Sequence, residues 1–392
     1  MNAGDTITRV NEFPSPTENE ALKAAILARI DRDGPITFRD FMEMALYAPN
    51  LGYYTSRREN IGRAGDYVTS PEVSPVFGAV LGRQLREMWE VLGRPPEFDV
   101  VEAGAGNGTL CRDILRWSRV AAADFHDSLR YTILEASPAL VARQRETVEA
   151  ESLAESVGWQ PQLPDVVEGC ILSNELLDAL PVHRVIVRDG RLWEVYVAWD
   201  GAAFREQPGP ISTPEIQAYF HRLGLLPGEG CHAEVNLAAA AWIGSAARAL
   251  HRGFLISFDY GYEAGDLYAP WRMHGTLLCF YRHNPSDDAY VRIGRQDITS
   301  HIDFTTVRRV GEEAGLRTVG LVPQSEFLMN LGLPDALPAI GEGGTNLEEY
   351  YVRRRAVVEL ADPAGLGRIK VLVQAKNIGE VLLTGLRLGK GD

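Results

Sequence analysis

Two acidic residues three apart in SNELLDALP, Glu175 and Asp178, and a glycine turn in FDVVEAGAGNGTLCRD carry the chemistry most visible in this sequence. Carboxylates at that spacing in a short helical turn face one side and can hold a cationic group between them. Gly104, Gly106 and Gly108 let the backbone turn sharply and pass close to a ligand, and Glu102 stands at the entry to that turn. A dinucleotide fingerprint would need its third glycine one place later and an acid about 20 residues on, and a phosphate loop would need Gly-Lys-Ser/Thr. Neither is present. The next acid at the end of an apolar run is Glu135, in YTILEAS, about 30 residues past the turn. That pairing suits a nucleoside-type cofactor; a purely structural tight turn is the alternative.

The elements that must position these groups alternate from Phe98 onward. The pattern predicts strands over 98–102, 130–135 and 167–172, with helices over 109–120 and 138–155 between them. An open α/β sheet binds ligands beyond the carboxyl ends of its strands, so SNELLDALP and the glycine turn are expected to face one crevice. Asn174, Glu175 and Asp178 are therefore candidates, with local helix capping as their other use. A hairpin is expected over 184–187 and 192–199, then a turn-rich insertion over 208–230 with a short helix at 215–223, and a longer helix over 233–250. The apolar run GFLISFDYGY reads as a strand buried on both faces, ending at Asp259 and Tyr260. A long irregular region spans 262–302. Helices over 303–314, 324–331 and 347–359 and strands over 316–321 and 368–374 complete a sheet of roughly seven strands.

Ahead of this core, residues 1–18 read as a flexible leader and 19–95 as a helical cap with a lid-like loop. Thr37 is expected to cap FRDFMEMALY, and the loop over 47–75 is rich in glycine, proline and tyrosine. Its Asp66, Tyr67 and Glu72 are expected to close over the cofactor, and Tyr54 to reach the substrate. The core, 96–392, carries insertions at about 182–232 and 262–302.

Composition narrows the partners. The formal charge is −14, so the mean surface field opposes nucleic acid and anionic membrane and favours a basic protein segment or a cationic small molecule. The first residues lack the apolar run of a secretory signal and carry acids, which makes no good transit peptide, and no stretch is long and apolar enough to span a membrane. Cys111, Cys170, Cys231 and Cys279 follow no metal-binding spacing and read as reduced thiols, which gives the expectation of a cytoplasmic protein with no metal. The Leu and Trp content is compatible with a homodimer, although no heptad marks an interface.

E-x-G-x-G-x-G followed by YTILEAS resembles the cofactor site of class I S-adenosylmethionine-dependent methyltransferases. The blocks FRDFMEMALYAPNLGYY, GRAGDYVTSPEVSPVFG, VVEAGAGNGTLCRDIL, ILSNELLDALPVHR, FDYGY, GTLLCFYRH and DITSHIDF together resemble the MidA family, relatives of the mitochondrial complex I assembly factor 7. The resemblance implies a Rossmann-like α/β fold and an S-adenosyl-L-methionine cofactor leaving as S-adenosyl-L-homocysteine. From the mitochondrial branch it implies symmetric methylation of a protein arginine in a respiratory complex I subunit. In that frame Gly104 and Gly106 lie under the methionine part, Glu102 approaches its amino group, Glu135 takes the ribose hydroxyls, and Asn174 joins the cofactor set. Glu175 and Asp178, with His301, form the expected catalytic set, and Tyr54, Asp259, Tyr260 and His283 the substrate set. Methylation of a small molecule and a non-catalytic, cofactor-binding assembly protein are the competing readings.

Overall fold

The computed structural model describes residues 18–56, 61–62, 65–337 and 347–387. The expected leader, apart from Glu18, lies outside them. A seven-stranded sheet forms the centre: β1 (Phe98–Ala103), β2 (Leu129–Leu134), β3 (Val157–Gln160), β4 (Val167–Asn174), β5 (Leu250–Asp259), β6 (Arg317–Pro323) and β7 (Lys370–Lys376). Their spatial order is 6-7-5-4-1-2-3. The first five run parallel, and β7 is inserted antiparallel between β5 and β6. The order reverses between β1 and β4, which opens the crevice beyond their carboxyl ends.

Apolar runs without alternation dictate this burial. Every residue of β5 from Phe254 to Asp259 is buried, as a strand covered on both faces requires. One face packs under helices Pro75–Val91, Thr109–Ala121, Gln324–Asn330 and Leu347–Ala361, and the other under Leu237–Ala249 and Phe304–Glu313. Where β1, β4 and β5 cross, a side chain would not fit. A Cβ on Gly169 (φ +151°) would lie 2.2 Å from the Asp99 carbonyl oxygen, and one on Gly253 (φ +137°) 1.9 Å from that of Gly169.

Several sequence boundaries move. The helix expected over 138–155 stops at Glu149, and Val157–Gln160 becomes the edge strand β3. The stretch expected to be helical from 233 opens as strand His232–Val235, and Asn236 then caps the helix Leu237–Ala249 by accepting from the Ala239 N–H at 2.8 Å. Residues Phe204–Gly209, expected partly as turn, form a strand. The hairpin His183–Arg188 and Arg191–Trp199 joins no strand of the central sheet: with Phe204–Gly209, His232–Val235 and Ile36–Thr37 it builds a second, five-stranded sheet. Within 262–302, a small sheet forms from Leu278–Tyr281, Asn284–Ser286 and Asp297–Thr299.

The amino-terminal segment packs on these additions. Thr37 caps Phe38–Tyr47 as expected, accepting from the Asp40 N–H at 3.1 Å, and Phe38, Phe41 and Met42 enter a core with Val197, Phe204 and Ile298.

Candidate functional site

The carboxyl ends of three adjacent strands set the site. Ala103 of β1 pairs with Ser173 of β4, and Asn174 of β4 with Phe258 of β5, so the glycine turn, SNELLDALP and Asp259-Tyr260 leave the sheet side by side. Gly104, Gly106 and Gly108 all adopt positive φ, at +72°, +52° and +80°. A Cβ on Gly104 would approach Leu176 to 2.8 Å, which shows how tightly the turn abuts the neighbouring loop.

Around the turn the polar groups are paired. Glu102 is buried and accepts from the Tyr131 hydroxyl at 2.6 Å; burial pushes its carboxyl up to about 7. Glu135, just past β2, accepts from the Ser137 N–H at 2.8 Å and from Gln144 Nε2 at 3.3 Å, and burial again raises it. Glu72 accepts from Asn107 Nδ2 (3.1 Å) and Thr109 Oγ1 (2.7 Å), tying the cap segment to the turn. The turn's clearance and the half-buried Glu135 carboxylate beyond it fit the methionine and ribose of S-adenosylmethionine.

Beside the turn lies a cavity of about 290 Å³ in which four carboxylates meet aromatic rings. Asp66, Glu175, Asp178 and Asp297 line it together with Tyr54, Tyr67, Tyr260 and Phe280, and His283, His301 and the exposed Arg368 are also part of the wall. Glu175 has a left-handed backbone (φ +50°), unusual for a non-glycine residue, and its Oε1 accepts from the Ser70 N–H (3.1 Å) and Asn174 Nδ2 (3.0 Å). Burial pushes its carboxyl up to about 7. Asp297 accepts from the Tyr54 hydroxyl at 2.7 Å, and burial pushes it also to about 7. Asp178 is raised well above the usual carboxylate range by burial and by the negative charges of Asp259, Asp297 and Glu175.

The remaining expected residues divide by position. Asp66 and Tyr67, expected against the cofactor, line the acidic cavity; Asp66 is anchored by the Tyr53 hydroxyl (3.1 Å) and the Arg282 N–H (2.9 Å). Asp259 does not line it: its two oxygens accept from the Leu177 and Tyr260 N–H groups, at 2.8 and 2.9 Å, and so it shapes the loop that carries Asp178. His301 lies near Tyr260 and Tyr262, its Nδ1 has no hydrogen-bond partner among the described residues, and burial pushes its pKa down to about 4. Asp297 was absent from the expected set, although it heads the DITSHIDF block; its signal was the company of that motif, since its reach to Tyr54 spans 243 residues.

Residues 80–322 match the family model described as "Putative S-adenosyl-L-methionine-dependent methyltransferase". A mitochondrial protein arginine methyltransferase NDUFAF7 homolog of Drosophila melanogaster is 31% identical over 394 residues, covering 90% of this chain and 84% of that protein. The NDUFAF7 protein of Mus musculus is 31% identical over 335 residues, covering 79% and 73%. A crystal structure of a relative from Burkholderia thailandensis, bound to S-adenosyl-homocysteine, superposes with TM-score 0.86 at 34% identity, covering 95% of this chain and 97% of that one.

These relatives correct the cytoplasmic expectation, because the curated proteins are named as mitochondrial. The expectation rested on acids among the first residues, which argue against a transit peptide, and on cysteines read as reduced thiols, a reading that does not distinguish one reducing compartment from another. Among the described residues no helix is long and apolar enough to cross a membrane. With the sheet order, the glycine turn and the match over most of its length, the chain belongs to the MidA and NDUFAF7-like family of S-adenosylmethionine-dependent methyltransferases.

Proposed function

We propose that the chain methylates arginine nitrogen on a protein substrate, and the observation that carries this reading is the cavity in which Asp66, Glu175, Asp178 and Asp297 gather among aromatic rings. Buried carboxylates need a compensating cation, and a guanidinium is always charged, presents five donors in a plane and stacks on aromatic faces. Arg368 at the edge of the cavity answers part of that charge, and a neutral hydroxyl acceptor would add nothing to favour the ionised form of the remaining, raised carboxyls. The names of the NDUFAF7 relatives as protein arginine methyltransferases support the same reading.

When bound, S-adenosylmethionine supplies an electrophilic methyl group on a sulfonium. In this reading Glu102 receives the amino group of the methionine part, Gly104 and Gly106 give it clearance, Glu135 takes the ribose hydroxyls, and Glu72 and Asn174 hold the turn and its neighbour in place. Asp178 and Asp297 hold two guanidinium nitrogens, which orients the third in line with the methyl group. The bond from carbon to nitrogen forms as that from carbon to sulfur breaks, and the nitrogen gives up a proton. Glu175, with its carboxyl pushed up to about 7, is suited to accept that proton near neutral pH. His301 is held neutral and offers a second acceptor at Nδ1. Tyr54 fixes Asp297, while Tyr67, Tyr260 and His283 wall the acceptor.

Within segment 19–95, helix Pro75–Val91 packs in the core itself, and the part ahead of it acts as a cap, bringing Tyr54, Asp66 and Tyr67 to strand ends they could not otherwise reach. The family resemblance points to a respiratory complex I subunit as the partner and to symmetric dimethylation as the product. The test is incubation of a mitochondrial or bacterial membrane-protein extract with the enzyme and deuterium-methyl cofactor, followed by peptide mass spectrometry. Label on arginine of a complex I subunit, lost with Glu175→Ala, is expected; label confined to another residue type or to metabolites would overturn the reading.

A further inference from the structure

A second cavity, of about 240 Å³, adjoins the acidic one and shares Tyr260, His301 and Arg368 with it. Its charge is opposite. Among the described residues no carboxylate lines it, whereas Arg368 and Lys370 both do, with Ser325, Pro323 and Pro363 at the rim. The Arg368 guanidinium lies over the Tyr260 ring, 5.3 Å from its centroid, and among the described residues neither it nor Lys370 has a carboxylate within ion-pair distance. Lys370 is half-buried at the start of β7, paired in register with Asp259 of β5, so its backbone is held at the strand end and its stem rises from there into the cavity wall.

A pocket for a cation thus opens directly into a pocket for an anion, with one tyrosine forming part of both walls. We propose that the second cavity binds a carboxylate of the substrate next to the methylated arginine, carried either by an adjacent Asp or Glu side chain or by the arginine's own free α-carboxylate. The arrangement discriminates by charge. A neighbouring carboxylate meets two unpaired cations, one of them a planar guanidinium suited to a two-point contact. A neighbouring lysine would meet two like charges, which costs affinity and slows encounter. The inference rests on the arginine reading of the acidic cavity and concerns which arginines that cavity accepts.

Binding of amidated peptides to the protein loaded with S-adenosyl-homocysteine, followed by calorimetry, tests it. Four probes are compared: arginine flanked by glutamates, arginine flanked by glutamines, citrulline flanked by glutamates, and a glutamine-flanked peptide ending in arginine with a free carboxylate. A carboxylate-bearing arginine peptide should bind about 10-fold tighter than the glutamine-flanked one, the scale of a well-placed, partly shielded charge pair. Lys370→Gln should bring that ratio close to one, and the exposed Arg368→Gln provides the same readout should the first variant fold poorly. Preference for internal glutamates or for the free terminus identifies the source of the carboxylate. Absence of a preference, a preference that survives both substitutions, or no binding by any carboxylate-bearing peptide overturns the inference. Equal binding of citrulline and arginine peptides would instead sink the arginine reading, and a Lys370-dependent carboxylate preference would stand apart from it.

Discussion

The two parts of this crevice, the glycine turn proposed for the cofactor and the acidic cavity proposed for the acceptor, are built on different plans. Around the glycine turn, polar partners are close in the chain: Glu102 and Tyr131 are 29 residues apart, Glu135 and Gln144 nine, Glu72 and Thr109 37. In the acidic cavity the near partners Asn174 and Tyr53 are joined by remote ones: Ser70 reaches Glu175 across 105 residues, Arg282 reaches Asp66 across 216, and Tyr54 reaches Asp297 across 243. The first half is a local motif that a βα unit carries wherever it occurs. The second exists only when cap, core and insertion have docked, so acceptor choice can change by altering loops without disturbing cofactor binding.

Substitutions can break or sharpen that contrast. The largest effect is expected from Glu175→Gln, which should slow methyl transfer by about 100- to 1,000-fold, the range for removing one electrostatic or proton-accepting group, with cofactor affinity nearly unchanged. Equal loss of both in single-turnover and titration experiments would erase the division into halves. Glu135→Ala should raise the cofactor dissociation constant by about 10- to 100-fold, the worth of one or two hydrogen bonds to a charged group, while an arginine peptide still binds the cofactor-free protein. At saturating cofactor, transfer should rise with pH through about 7, where Glu175 and Asp297 lose their protons, by roughly 10-fold per unit below that value for each of the two carboxyls that must ionise. A rate flat between pH 6 and 8 would show that neither carboxylate must ionise. The smallest change is Tyr54→Phe: losing the 2.7 Å hydrogen bond to Asp297 should cost about 1 kcal/mol, read as roughly 5-fold weaker peptide binding.

What was legible in the sequence follows the same division. Glycines at a turn, an acid at each strand end and long apolar runs are local signals, and they placed β1, β2, β4, β5 and the crevice. Strand β3 was hidden because Val157–Gln160 is a short edge strand with alternating exposure, following a helix whose pattern gave no stop signal at Glu149. His232–Val235 was absorbed into the alanine-rich helix behind it, since its strand identity comes from pairing with His183–Ile186. Asp297 had no local feature that marked it off from any other acid before a β-branched pair. Asp66 and Tyr67 read as a lid; that they line the acidic cavity depends on docking of their loop against Arg282 and His283, more than 200 residues away.

The gathered carboxylates also bear on how well the protein holds together. A carboxyl whose folded value lies near 7 and whose unfolded value lies near 4 retains its proton in the folded state after the unfolded chain has released its own. Its stabilising contribution is complete below the unfolded value and is lost as pH rises toward 7, leaving the vacant acceptor site a source of internal repulsion at neutral pH. A cation settling among Glu175, Asp178 and Asp297 removes that repulsion and takes up the negative charge. The melting temperature should therefore rise on adding an arginine peptide, by more at pH 8 than at pH 5, making thermal protection a way to search for the natural partner before any methyl group has moved.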